Sequence, residues 1–196
     1  MTGVAGDNPA DRLHSQPTWG IFETWCYIEV LAIIARLTGA EPTPISKPVP
    51  HAQLAYLFLL PDASTLEVLF QARFRSIAKL NKPFARSLSR ERYPDILLVQ
   101  KQSLKTRSMI LDAKWRSGRS NVLEAMESAH IYHDSLRVDG NIPNPCLLLL
   151  PGRACITALE TEKYLRENAV GAISEFSKGG IGVERLTTHI QHWLDS

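Results

Sequence analysis

The chain reads as one α/β domain, a mixed sheet covered by helices on both faces, and three features of the pattern predict it. Residues 95–99 and 109–114 hold two short apolar runs bounded by turn or polar residues, the mark of buried strands. Helical periodicity appears before that pair, over 18–38, directly after it, over 121–137, and again at 183–194. Compact apolar runs at 146–150 and 170–176 supply further strands between the later helices. At 196 residues, 44% hydrophobic and 21% charged, the chain is long enough for one well-buried core and short for two.

Each element follows from its residues. Phe22, Trp25, Cys26, Ile28, Val30, Leu31, Ile33 and Ile34 recur at helical spacing and Gly39 follows as a stop, so a first helix is expected from about Thr18 to Thr38. Glu41 to Pro50 contains four prolines and reads as an irregular connector. Gln53 to Leu60 and Leu66 to Phe74 flank Pro61-Asp62-Ala63-Ser64, which predicts a hairpin with a short loop. Arg75 to Arg92 is basic and expected to be partly helical. Asp95 to Val99 and Ser108 to Lys114 form the central hairpin in this reading, with Lys101 to Arg107 as its loop. A helix is expected from Asn121, capped by Ser120, to about Arg137, burying Val122, Leu123, Met126, Ile131 and Leu136. A strand at Cys146 to Leu150, a helix at Ala158 to Arg166 and a strand at Val170 to Phe176 follow. A Gly-Gly-Ile-Gly break at 179–182 then precedes the closing helix, Val183 to Leu194.

Net charge is only +2, but its distribution is uneven. Residues 73–119 hold 13 of the 22 Lys and Arg and only three acids, Glu91, Asp95 and Asp112. A basic segment against an otherwise acidic chain suits a polyanion such as DNA. Arg73, Arg75, Lys79, Lys82, Arg86, Lys101, Lys105, Arg107, Arg116 and Arg119 are the candidate phosphate contacts, a plainly solvated face being the competing reading. Cys26, Cys146 and Cys155 form no CxxC pair, and their odd number suggests reduced thiols in the cytoplasm. Residues 1–17 are polar, with Gly, Pro and Asp, and are expected to be a flexible tail ahead of a domain spanning 18–196. The longest apolar stretch, Ile28 to Leu37, is interrupted by Glu29 and Arg36, so no membrane span is expected. The chain has no G-x-x-x-x-G-K-[ST], so nucleotide hydrolysis by this chain is not expected.

Chemistry concentrates in Tyr93-Pro94-Asp95 and in Asp112-Ala113-Lys114. Asp112 and Lys114 are two apart, so on a strand both point to one face and Ala113 to the other. If the two strands pair, Asp95 at the start of the first meets Asp112 near the end of the second. Two carboxylates and one ammonium can hold Mg²⁺ against a phosphodiester and position a water, with the Ala113 carbonyl as a further oxygen ligand. A plain structural ion pair between Asp112 and Lys114 is the competing reading. Glu23 on the first helix reads by itself as an exposed first-turn glutamate favoured by the helix dipole. His130 with His133, and His189 with His192, have helical spacing but no third ligand at suitable spacing, so a structural or surface role is expected. Trp115 either stacks on a substrate or packs.

A Pro-Asp at a strand start followed by Asp-x-Lys on the next strand resembles the PD-(D/E)xK nuclease superfamily. The flanks carry the likeness further: Phe22-Glu23-Thr24-Trp25-Cys26 upstream, and Glu124 with His130-Ile131-Tyr132-His133-Asp134 on a helix downstream, look like the nuclease domain of McrC-type restriction subunits. The likeness runs from about Trp19 to the C-terminus. It implies a restriction-endonuclease-like fold and a metal-dependent endonuclease acting on DNA in restriction or phage defence, with Mg²⁺ as cofactor and Mn²⁺ able to substitute. RNA or branched DNA stays open as a target, because a phosphodiester site does not itself choose. The resemblance further implies a separate NTP-driven motor or specificity subunit, and a homodimer is compatible with it. It implies an additional catalytic-site acid at Glu23, as a metal ligand or a group supporting the ligands. It also suggests that one polar residue of the downstream helix, among Glu124, Tyr132 and Asp134, supports the site. A non-catalytic nucleic-acid-binding or assembly subunit that keeps the fold is the alternative.

Overall fold

The structure is a computed structural model and describes residues 18–77, 84–103 and 105–196. The expected tail, Lys79, Lys82 and the middle of the segment expected to be partly helical lie outside the described residues. Helix α1 (Thr18–Thr38) runs as its periodicity predicts and buries Phe22, Cys26, Tyr27, Val30, Ile33 and Ile34. It ends where Gly39 takes φ +66° and donates its N–H to Ala35 O at 2.9 Å, a left-handed stop that suits glycine.

Ten strands follow: β1 (Thr43–Pro44), β2 (Leu54–Leu59), β3 (Thr65–Phe70), β4 (Arg75–Ser76), β5 (Ala85–Ser87), β6 (Ile96–Gln102), β7 (Lys105–Ala113), β8 (Leu136–Val138), β9 (Cys146–Leu149) and β10 (Val170–Ile173). Helices α2 (Arg119–Ser135), α3 (Glu162–Asn168) and α4 (Ile181–Asp195) alternate with the later strands, and a 3₁₀ turn covers Thr157–Glu160. Seven strands form a mixed sheet in the order β1-β2-β3-β6-β7-β9-β10. Pairing is antiparallel from β1 to β7 and parallel across β7-β9 and β9-β10, with α2 inside the first parallel crossover and α3 inside the second. A second sheet, β4-β5-β8, lies beside α2.

Both faces of the central strands are buried. Ile96, Leu98, Met109, Leu111 and Ala113 join the core with α1 and α4, while Leu97, Val99 and Ile110 join the core with α2 and the small sheet. This is why residues 95–99 and 109–113 read as continuous apolar runs rather than alternating ones. At the start of α4, a Cβ on Gly182 would meet Ser174 O at 2.5 Å, so only glycine lets that helix begin against the end of β10.

Several expectations need correction. The proline-rich connector contributes a two-residue edge strand, β1, against β2, and proline is tolerated there because an edge strand has one unpaired side. The central hairpin is longer than expected: Gln102 pairs with Lys105, so most of the supposed loop 101–107 is strand. Its outer residues are polar because that end projects into solvent, which removed the apolar signal. Helix α2 begins at Arg119 after Gly118, without a side-chain cap from Ser120, and stops at Ser135. Leu123 and Ile131 are exposed, and Leu136 is buried in β8 instead. Of the basic stretch 75–92, the described parts include the strands β4 and β5. Among the described residues no helix is long and apolar enough to cross a membrane.

Candidate active site

The site forms where β3, β6 and β7 end together. Register places Ile96 opposite Leu111, so Asp95 and Asp112 stand opposite one another on the α2 side, as the spacing anticipated. Asp95 Oδ2 accepts the Ala113 N–H at 2.8 Å, which fixes its carboxylate against the end of β7. Asp112 Oδ2 accepts from Lys114 Nζ at 2.7 Å and from Ser128 Oγ of α2 at 2.8 Å. Asp112 is 1% exposed and its Oδ1 is buried without a hydrogen-bond partner, whereas the Lys114 side chain keeps 26% exposure and opens the cluster to solvent.

Two residues that no motif marked complete the surroundings. Gln71, just past β3, has φ +50°, donates its N–H to Asp95 O at 2.7 Å and its Nε2 to Glu23 Oε2 at 3.2 Å. It therefore ties α1 to the first site strand. Ser128 reaches Asp112 from α2, and it is this residue of the downstream helix, rather than Glu124 or Asp134, that bonds the site. Glu124 pairs with Arg116 at 2.8 Å, and Asp134 bonds His133 Nδ1 at 3.0 Å. Tyr132 lies close by and donates its hydroxyl to Tyr93 O at 3.5 Å. Gln71 and Ser128 carried no sequence signal because each meets its partner only through tertiary packing.

The electrostatics are those of two acids crowded in a dry place. Burial pushes Asp95 well above the ordinary carboxylate range and the Asp112 charge pushes it further, with Lys114 opposing. Burial likewise raises Glu23, against the lowering effects of Lys114 and the Gln71 bond. For Lys114, burial works to lower the value, but the charges of Asp112 and Asp95 and the bond to Asp112 outweigh it and hold the amine raised, hence protonated. Burial, then the charges of Asp112 and Asp95, drive the Tyr132 phenol upward, so it stays a neutral donor. Two carboxylates in reach of each other cannot both stay ionised cheaply without a cation between them.

A family model described as the PD-(D/E)XK nuclease superfamily matches residues 20–144. The chain belongs to this superfamily. No curated protein and no solved structure matches it. The PD-(D/E)XK match runs from α1 to the residues just before β9, so it takes in every side chain of the cluster, and the seven-stranded mixed sheet with flanking helices fits the restriction-endonuclease-like fold. It names the superfamily and not the McrC type. PD-(D/E)XK membership implies a nuclease, a hydrolase of a group that typically uses divalent metal ions.

The remaining predicted residues divide. Glu23 is 9% exposed and held toward Gln71, and among the described residues no three His, Cys, Asp or Glu side chains converge as a metal-binding group. Trp115 packs edge-on against Phe22, with ring centroids 5.4 Å apart. His189 and His192 line a cavity of about 490 Å³ beside Glu162 and Trp193, away from the carboxylates. Part of the basic cluster lies away from the site. An antiparallel hairpin carries Lys101, Lys105 and Arg107 toward its far end, opposite or at positions 100 to 102 and so about 17–24 Å along the strand from Asp95. There Lys101 pairs with Glu67 at 2.5 Å, and Arg107 bonds Leu194 O at 2.7 Å while lying over the Trp193 ring. Arg73 is paired with Glu91 at 3.1 Å.

Proposed function

We propose that the chain is a metal-dependent endonuclease that hydrolyses DNA phosphodiester bonds, working in restriction or phage defence. The observation that carries this reading is the buried Asp95–Asp112 pair beside Lys114, in which Asp112 Oδ1 has no hydrogen-bond partner. A buried carboxylate oxygen without a donor is costly unless a cation or proton meets it. The donors are hard oxygens, which suit Mg²⁺, with Mn²⁺ as a substitute. Asp95 and Asp112 would hold the ion with the Ala113 carbonyl, and Glu23 would act beside them, through Gln71 and retained water or as a further ligand. Bound there, the metal would acidify a water and neutralise charge on the phosphate.

The chain's own groups then have separate duties. Ala113 N–H and Gln71 hold the two ends of Asp95 in place, and Ser128 aims Asp112. Lys114, whose Nζ lies on Asp112 at the edge of the cluster, would orient the attacking water or help deprotonate it, and its ammonium would offset charge on the phosphate. From the McrC-like flanks we infer an NTP-driven motor or specificity subunit as a partner, and a second copy of the chain is a further partner we propose. RNA and branched DNA stay within reach of the same chemistry.

The closed contact between Lys114 and Asp112 also favours a second reading, a nucleic-acid-binding or assembly subunit in which the trio only pairs. Cleavage of plasmid and single-stranded DNA with Mg²⁺ or Mn²⁺ separates the two. Loss of cutting in both Asp112→Ala and Lys114→Ala supports the nuclease. A wild type that binds DNA and cuts nothing supports the second reading.

A further inference from the structure

The small sheet carries a row of arginines. Register pairs Arg75 with Arg86 and Arg86 with Arg137, and residues directly opposite one another project from the same face. The intervening positions Ala85, Leu136 and Val138 are buried in the core shared with α2, so the arginines stand on the face turned away from it. Arg75 is exposed and Arg86 and Arg137 are half-buried. Among the described residues no ion pair takes in any of the three. Arg137 donates instead to the carbonyls of Asp134 and Leu136, and the buried Nε of Arg86 has no acceptor. Like charges directly opposite weaken a sheet, so three in a row without an acid call for an anion from outside.

Position says which anion. Arg92, whose buried Nε is also without an acceptor, bridges to Phe74 beside β4 and precedes Asp95 by three residues, at most about 10 Å of chain. On the other side, α2 runs from Ser128 at Asp112 to Ser135, two residues before Arg137 of the row, seven residues or about 10 Å. Neighbouring strands are about 4.8 Å apart, so the row extends about 10 Å. Backbone phosphates follow one another every 3.4 Å along the axis of each strand. A row of that length and offset spans roughly three phosphates, starting roughly three from the Asp95–Asp112 pair.

We propose that Arg75, Arg86 and Arg137, with Arg92 leading to the site, form a track for the sugar-phosphate backbone of the DNA flanking the scissile bond. The proposal rests on the nuclease reading for its substrate. It gives the track a positioning duty without base readout, so its contribution is uniform across sequences and strongly salt-dependent.

The test is fluorescence anisotropy with a labelled DNA duplex in EDTA, titrated between 50 and 200 mM salt. Arg75→Gln and Arg86→Gln are each expected to lower the slope of log K against log salt by about 0.9, and the double variant by about twice that. Each lost contact corresponds to about 3.5-fold less weakening over that salt range. Arg86→Lys, which keeps the charge, should keep the slope, as should Arg107→Gln at the far end of the hairpin. Unchanged slopes in the Gln variants, a slope lost equally in Arg86→Lys, or no binding by the wild type would overturn the track. A wild type that binds with an arginine-dependent slope and cuts nothing with Mg²⁺ supports the track and removes the nuclease. One that cuts while its Gln variants keep the slope removes only the track.

Discussion

Replacing Lys114 with Met deletes the ammonium that faces Asp112 while keeping most of the stem's bulk. Asp112 is 1% exposed and accepts at 2.7 Å from Nζ, and Asp95 beside it is 7% exposed, so the change leaves two buried acids with Ser128, the Ala113 N–H and no positive charge in contact. Removing one partner of a buried pair costs about 3–5 kcal/mol. The Lys114 side chain keeps 26% exposure, and water can enter where it stood, so the low end, about 3 kcal/mol, applies. For a chain of this size that is roughly 6–12 °C in Tm. The pH dependence has a definite sign. Lys114 is raised, so its contribution is complete below the ordinary lysine value and is lost only as pH rises through the raised one; at neutral pH the wild type has all of it. Asp95 is raised and Lys114 opposes that rise, so without the ammonium it rises further and is neutral in acid, where no charge on it needs compensating; the gap should narrow as pH falls. Thermal denaturation in EDTA from pH 4 to 9 measures both. Equal Tm at neutral pH, or a gap that persists unchanged into acid, would refute the account of a charge-compensated buried pair.

Three further outcomes follow from the same geometry. Because Asp95 and Glu23 are raised, their contribution to stability is present below the ordinary carboxylate range and lost as pH climbs through their raised values. Metal-free protein should therefore lose Tm from acid toward neutral pH, and Mg²⁺ should restore more at neutral than at acid pH; paired melts in EDTA and Mg²⁺ check this, and a flat profile would count against it. Ser128→Ala removes one donor to the buried Asp112 Oδ2 and should lower stability by about 1–3 kcal/mol and cleavage by about 10–100-fold, read from melts and plasmid cutting. Arg107→Ala frees the end of α4 from Leu194 O and the Trp193 ring, so we expect about 1–3 kcal/mol less stability with cutting per folded molecule unchanged, since the residue sits at the far end of β7.

Much of the site was legible because its geometry follows from a period of two. Asp112 and Lys114 share a face on any strand, and Pro94 marks where the partner strand begins, so Asp95 meets Asp112 in the simplest hairpin. Gln71 and Ser128 were not legible: Gln71 depends on a left-handed turn after β3 and Ser128 on the angle at which α2 crosses the sheet. Polarity misled in one place. Lys101, Gln102, Lys105, Thr106 and Arg107 look like loop residues, yet they extend β6 and β7 into solvent, where no apolar residue is needed. Clustering along the chain misled in another, since 73–119 doubles back on itself and sends its charges to opposite ends. In α2, Leu123 and Ile131 fit a helical stripe, but the helix buries a narrower one of Val122, Ala125, Met126 and Ala129.

Strand β7 has an antiparallel neighbour on one side and parallel β9 on the other, with Lys114 N–H donating to Leu149 O at 2.9 Å. A slip of one residue against either neighbour would turn Asp112 and Lys114 toward the α1 core and leave the reacting groups on opposite sides of the sheet. The site thus exists only once both halves of the sheet have joined, one from a local hairpin and one from a crossover that needs α2. On the nuclease reading, cutting should return during refolding only once both neighbours have joined β7, which makes that activity a gauge of complete assembly of the sheet.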